Sequence, residues 1–316
     1  MVDVVLAAGR EYCLLARMWI RSSMVYRTSF VTMAVGQFLI TMLDFLAILV
    51  MFSNVEVLGG FGLGQVAFLY GVSGFSLGAA DLLVGNVERL GRRIRDGSLD
   101  SMLIRPVPTL IQVCADEFQL RRIGRLAQAC LVLGLGSSTA GIDWSLGKSA
   151  LLALTLVSGT AIFCSVFIVF ASFQFITQDA SEVANAFTYG GNTLTQYPLT
   201  IFPKEIIKAV TFIIPLAFVN WYPCLHILGR PDPLELPGWT QFASPLVATL
   251  MAAITGCVWR LGSAPTGALG ASDARDDRRC RRTQQDIRRA SQDRRHPSSS
   301  YRGQGGQRRL VPDPTR

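Results

Sequence analysis

Two aspartates stand where a carboxylate is costly. Asp44 lies inside a long apolar run, and Asp81 lies near the end of the next one. A carboxylate in mid-bilayer costs about 2.5–3.5 kcal/mol on insertion scales, so each must face protein or water rather than lipid. They either line a translocation path or hydrogen-bond to neighbouring helices. Other combinations fail on spacing. Gly147-Lys148-Ser149 copies the end of a phosphate-binding loop, which needs G-x-x-x-x-G-K-[ST] between a strand and a helix. Here the upstream glycine, Gly141, is one residue too far away. Asp116 and Glu117 are adjacent, and neighbours on a helix point about 100° apart, which makes a poor acid–base pair. His226 and His296 have no ligand cluster around them, which argues against a metal site. The seven cysteines, at 13, 114, 130, 164, 224, 257 and 280, include no C-x-x-C pair and read as small hydrophobes. No catalytic residue, metal ligand or resident cofactor is expected, and the chain does not hydrolyse ATP by itself.

What remains is a basic stretch. Residues 86–106 carry five arginines between two apolar segments. Glu88 with Arg92 and Arg89 with Arg93 stand at i, i+4, so a short helix can turn Arg89, Arg92 and Arg93 outward. Asp96-Gly97 supplies a turn. Leu99, Met102 and Leu103 then form an apolar patch beside Asp100 and Arg105, and Pro106 ends the element because proline disfavours helix in the residue before it. A compact helix with apolar and charged anchors on a short tether is what a docking element needs.

The elements that must position these residues are membrane spans. Half of the 316 residues are hydrophobic and 16% are charged, against roughly 25% charged in soluble domains. Apolar runs predict an all-α integral membrane domain over 30–262. Its six transmembrane helices are expected at about 30–52, 61–85, 120–138, 150–176, 209–228 and 239–260, long enough in general for ~30 Å of hydrocarbon. The third has the least certain start, anywhere from 108 to 124. Small residues at 71, 74 and 78 in the second span suit close helix packing. Residues 177–208 read as an internal loop with a short interfacial segment. Lys and Arg number 14 in the proposed inside regions and two in the outside loops, a strong asymmetry that puts both termini in the cytoplasm.

The N-terminus is no signal peptide, because four arginines precede an apolar run that is too long for one. Residues 1–29 form a cytoplasmic amphipathic leader, with Trp19 and Tyr26 opposite Arg10, Arg17 and Arg21, suited to the headgroup layer. The tail, 263–316, is expected to be disordered. Residues 261–316 hold 13 Arg and six Asp, with too few apolar residues to bury a core. Without aromatic interleaving the tail gives no nucleic-acid site, and its patternless composition is also what a shifted reading frame produces.

Several motifs together resemble the six-span permeases of the ABC-2 class of ABC exporters, in an actinobacterial-type branch. These are Arg27-Thr-Ser-Phe30 with Gln37-Phe38 and Asp44-Phe45, Gly97-x-Leu99-Asp100, Leu103-x-Arg105-Pro106, Phe187-Thr-Tyr-Gly-Gly-Asn192, Gln196-Tyr-Pro198, Phe218-Val-Asn220-Trp-Tyr-Pro223 and Leu228-Gly-Arg-Pro-Asp-Pro233. The resemblance covers about 10–260. It implies a multi-pass protein of the cell membrane whose 86–106 loop is a cytoplasmic coupling helix seated in a separate ATPase subunit. ATP and Mg would be held by that partner, and a second permease subunit would complete the path. Substrates of such systems include drugs, antibiotics, lipids and other amphiphiles. Two other classes compete: an ion-coupled secondary carrier using Asp44, and a non-transporting membrane scaffold.

Overall fold

A computed structural model describes residues 2–104, 107–116, 119, 121–175, 177 and 181–263. Arg105, Pro106, Glu117 and the tail from 264 onward lie outside the described residues. Among the described residues the elements are helical. In order they are α1 (Val2–Ser23), α2 (Arg27–Phe52), α3 (Leu63–Val84), α4 (Leu90–Arg95), α5 (Ser98–Leu103), α6 (Thr109–Ala115), α7 (Arg122–Thr139), α8 (Leu146–Phe173), α9 (Ser181–Gln196), α10 (Lys204–Phe212), α11 (Trp221–Leu228) and α12 (Ser244–Ser263). Four helical stretches are long and apolar enough to cross a membrane: α2, the run that starts with α3, α8 and α12. The run from Leu63 to Arg95 has 33 residues, about 50 Å at 1.5 Å per residue. That exceeds the ~30 Å that hydrocarbon requires.

The centre of the fold is the antiparallel pair α3 and α7. Gly64, Gly71 and Gly78 repeat every seven residues along α3, and each lies against α7. A Cβ on Gly64 would come within 2.5 Å of the Thr139 carbonyl oxygen, and one on Gly71 within 2.5 Å of the Leu133 Cα. On Gly78 it would stand 3.4 Å from the Leu126 Cα. From the other side, Gly136 of α7 meets the backbone of Phe68. A seven-residue stripe of the smallest side chain lets two backbones touch over four turns. The small residues expected to pack do so, in a longer register than 71, 74 and 78 suggested.

The second half of the chain corrects the sequence reading. Residues 209–228, expected as a span interrupted by Pro215 and Pro223, are bent: α10 and the helical stretch from Leu216 to Leu228 meet at 80°, across a break that contains Pro215, whose ring has no N–H to continue the helix. This bent unit sits at the end of the body that holds the α2–α3 turn. Thr200 donates to the Gly59 carbonyl at 2.8 Å, Arg230 donates to Gln65 at 3.0 Å, and Trp221 stacks on Phe61 at 5.5 Å. Alongside α3 runs α9, a helix in the region expected to be an internal loop. Tyr189 lies beside Asp81, Asn192 and Thr195 bond Ser73 halfway along α3, and the following turn reaches Gly59. Lys204 and Lys208 therefore belong to the far end, and the basic asymmetry becomes 12 against four by sequence count. It still favours the same end.

That basic end gathers the remaining pieces. Tyr12 of α1 donates to the Leu83 carbonyl at 2.8 Å, and Trp259 near the end of α12 packs edge-on against Phe175. The N-terminal helix and the end of α12 thus share the side that bears the 86–104 element. A small apolar core lies there, built from Val87, Leu90, Leu99, Met102, Val113 and Trp259. It is separate from the large core between α3, α8 and α11, which is centred on Phe68, Phe163, Phe167 and Tyr222.

Candidate functional site

The arginine-rich connection folds as two short helices around one turn. Gly97 sits at φ +68°, in the left-handed region, and lets α4 reverse into α5 at no steric cost. The inner face is firmly attached. Gly91 N–H donates to the Gln174 Oε1 at the end of α8, at 2.5 Å. Asn86 donates to the Asp116 carbonyl at 2.7 Å, and Gln112 donates to the Met102 carbonyl at 3.0 Å. Arg93 forms an ion pair with Asp116 and also reaches the Met102 sulfur.

This arrangement corrects the expectation that Arg89, Arg92 and Arg93 point outward together. Arg93 is 8% exposed and faces inward. Leu99 and Met102 are buried in the small core instead of forming a surface patch, and Leu103 is half-buried. Arg89 lines a cavity. The exposed face carries Arg92, Arg95, Asp96, Gly97 and Asp100, with Ile104 as its one large apolar residue, 85% exposed. Arg105 and Pro106 lie outside the described residues.

The two aspartates part company. Asp81 is buried and tied. Arg122 Nε stands 3.1 Å from Oδ1, Arg125 Nη1 3.3 Å from Oδ2, and Arg122 also donates to the Asp81 carbonyl at 2.7 Å. The Tyr189 hydroxyl approaches Oδ1 at 3.5 Å, and the Arg125 guanidinium stacks over the Tyr189 ring at 5.1 Å. Gly85 faces this cluster, since a Cβ there would strike Asp81 and Arg122. The pairing was open to sequence reasoning. Arg122 and Arg125, three residues apart at the start of one helix, lie level with an acid three residues before the end of its antiparallel neighbour. Tyr189 gave no such signal. Asp44 is exposed, and among the described residues it has no hydrogen-bond or ion-pair partner.

Two polar cavities, each about 140 Å³, meet at Arg125 and Tyr189. The one at the basic end is lined by Gln37, Asp81, Glu88, Arg89, Arg121 and Arg122. Burial pushes the Glu88 carboxyl up to about 7, the Asp81 charge adds to the rise, and Arg122, Tyr189 and Arg125 pull against it. The other cavity opens on Asp44, with Thr41, Tyr70, Gln128, Asn192 and Thr193 around it. Among the described residues no group of three or more His, Cys, Asp or Glu could hold a metal ion.

Comparison with known families agrees with this architecture. The family described as "ABC-2 family transporter protein" matches residues 38–265, from the middle of α2 to just past α12. No curated protein and no solved structure matches the chain.

Proposed function

This chain belongs to the ABC-2 family of transporter proteins, and from that premise we propose that it is the six-traverse permease of an exporter driven through its 86–104 element. The family makes it a membrane transport subunit of an ABC system. The further reading is that α2, α3, α7, α8, α9 and α12 cross the cell membrane, with the basic end and both termini in the cytoplasm. A separate ATPase subunit binds ATP and Mg, and a second permease, identical or related, completes the path for a drug-like, antibiotic, lipid or other amphiphilic substrate.

One observation supports this most. The 86–104 element is rigidly attached on its inner face and charged on its outer face. Its inner bonds go to Gln174 at the end of α8 and, through Asp116 and Gln112, to the connection leading into α7. A push on Arg92, Asp96 or Asp100 is therefore delivered to two traverses. Asp81 belongs to the fastening of this end, while Asp44 faces a cavity and is the better candidate for the path. Glu88 and Arg89 border the same end.

The experiment is a double replacement of Arg92 and Asp96 by Ala in the full chain, expressed with the ATPase encoded beside it. Reduced co-purification of the ATPase with a chain that still folds is expected. Unchanged co-purification and unchanged transport remove the docking role.

A further inference from the structure

The Asp44 cavity contains two unmet demands. Asp44 stands inside α2, a 26-residue helix, two turns before its C-terminal end. Its carboxylate has no partner among the described residues, although a lone charge at that depth costs about 2.5–3.5 kcal/mol. Gln128, on α7, is 2% exposed; its side chain interacts with the Tyr70 hydroxyl, but its Nε2 makes no hydrogen bond of ordinary length and angle. A buried amide N–H without a partner is rare in native proteins. Both residues line the same cavity, which is about 140 Å³ and roomy enough for several waters or an ammonium headgroup.

The sign of the ligand follows from which charge is already satisfied. Arg125 forms the wall toward the basic cavity, but its guanidinium is paired with Asp81 and stacked over Tyr189. Asn192 accepts from Ser73. The positive group in the cavity is therefore engaged and the negative one is not. Tyr70 and Tyr189 add aromatic walls, which a cation favours over an anion. Leu77 and Gly74 add an apolar strip, and Thr41, Thr193 and Gln196 complete the lining with uncharged polar groups.

Resting on the transport reading, we infer that this cavity binds an organic cation, an amine or quaternary ammonium that also carries an oxygen acceptor. Asp44 is its counter-charge and Gln128 donates to its oxygen. The exported amphiphile would then have a basic nitrogen as its recognised end.

The test uses the full chain in lipid vesicles with Thr193 replaced by Cys as reporter, since Thr193 is exposed and lines the cavity. Alkylation at position 193 is followed by mass spectrometry of its peptide. Two probes differ only in the charged end: (2-phenoxyethyl)trimethylammonium and phenoxyacetate. The cation is expected to slow alkylation, and the anion is not. Asp44→Asn should raise the protecting concentration of the cation roughly tenfold or more, the effect of losing one charged hydrogen-bond or ion partner. Asp44→Glu should restore it. Gln128→Leu should weaken the phenoxy cation more than phenyltrimethylammonium, which lacks the oxygen. Equal protection by both probes, protection by neither, or protection by sodium alone overturns the proposal, the last in favour of an inorganic-ion site. The charge-reversed pair decides even if Asp44→Asn does not fold. The assay needs neither ATP nor an ATPase, so loss of docking in the Arg92 and Asp96 variant leaves it standing, and its failure leaves docking intact.

Discussion

Replacing Asp81 by Asn separates the two aspartates by energy. The substitution keeps the shape of the side chain and removes the charge that balances Arg122 and Arg125. The Arg122 side chain is 9% exposed and the Arg125 side chain 22%. Breaking a buried pair from one side costs 3–5 kcal/mol, because the remaining charge stays desolvated. Arg125 is partly reached by solvent, and Asn still accepts a hydrogen bond, so the lower end applies, about 3 kcal/mol. Asp44→Asn has no ion pair to break and should stay within about 0.5 kcal/mol. The assay is unfolding of the purified chain in mixed micelles at rising denaturing-detergent content, followed by tryptophan fluorescence. Arg125→Gln combined with Asp81→Asn should cost less than the sum of the two, by about 1 kcal/mol or more. Equal midpoints for Asp81→Asn and Asp44→Asn would refute the reasoning, and so would additivity in the double variant.

Three further outcomes are expected. Gly71→Ala puts a methyl group 2.5 Å from the Leu133 Cα and should destabilise by about 1–3 kcal/mol in the same assay, whereas Gly36→Ala, with open space around it, should be neutral or slightly stabilising. Glu88 is a carboxyl raised from 4.5 to about 7, so the folded state holds a proton that the unfolded chain has released. Stability should be highest below the lower value, fall as pH rises through the window to about 7, and level off above it. Glu88→Gln should flatten that fall, which is of order 3 kcal/mol, in melting temperatures compared across pH. Arg93→Ala strands Asp116 and opens the small core, so it should lower stability by roughly 2–3 kcal/mol. Arg92→Ala, on the exposed face, should change it by less than about 0.5 kcal/mol.

The first half of the fold was legible because its helices are bounded by charge and punctuated by turns. The expected 30–52 and 120–138 became Arg27–Phe52 and Arg122–Thr139. The second half was not, for opposite reasons at two places. In α9 the residues that face α3 are Asn192 and Thr195, satisfied by Ser73. A helix that buries polar atoms against polar atoms leaves no hydropathy signal. In α10 and α11 the hydropathy of a span is present, but Pro215 folds it back. The spacing of Arg89, Arg92 and Arg93 placed them on one arc, yet nothing in the spacing told which side of that arc would meet Asp116. Asp81 and its two arginines were readable by level, whereas Asp44 and Gln128 come together only through the packing of α2 against α7.

The glycine stripe of α3 sets which parts of this transporter can move. Backbones in contact over four turns cannot slide without unlocking every step, so α3 and α7 move as one unit. By contrast, α2 and α12 are thinly held: 17% of the apolar window of each is buried. A push on the 86–104 element, which is bonded to the end of α8 and to the connection into α7, would shift this centre as a unit against those two outer helices. The Asp44 cavity lies along that boundary, with α2 on one side and α7 on the other.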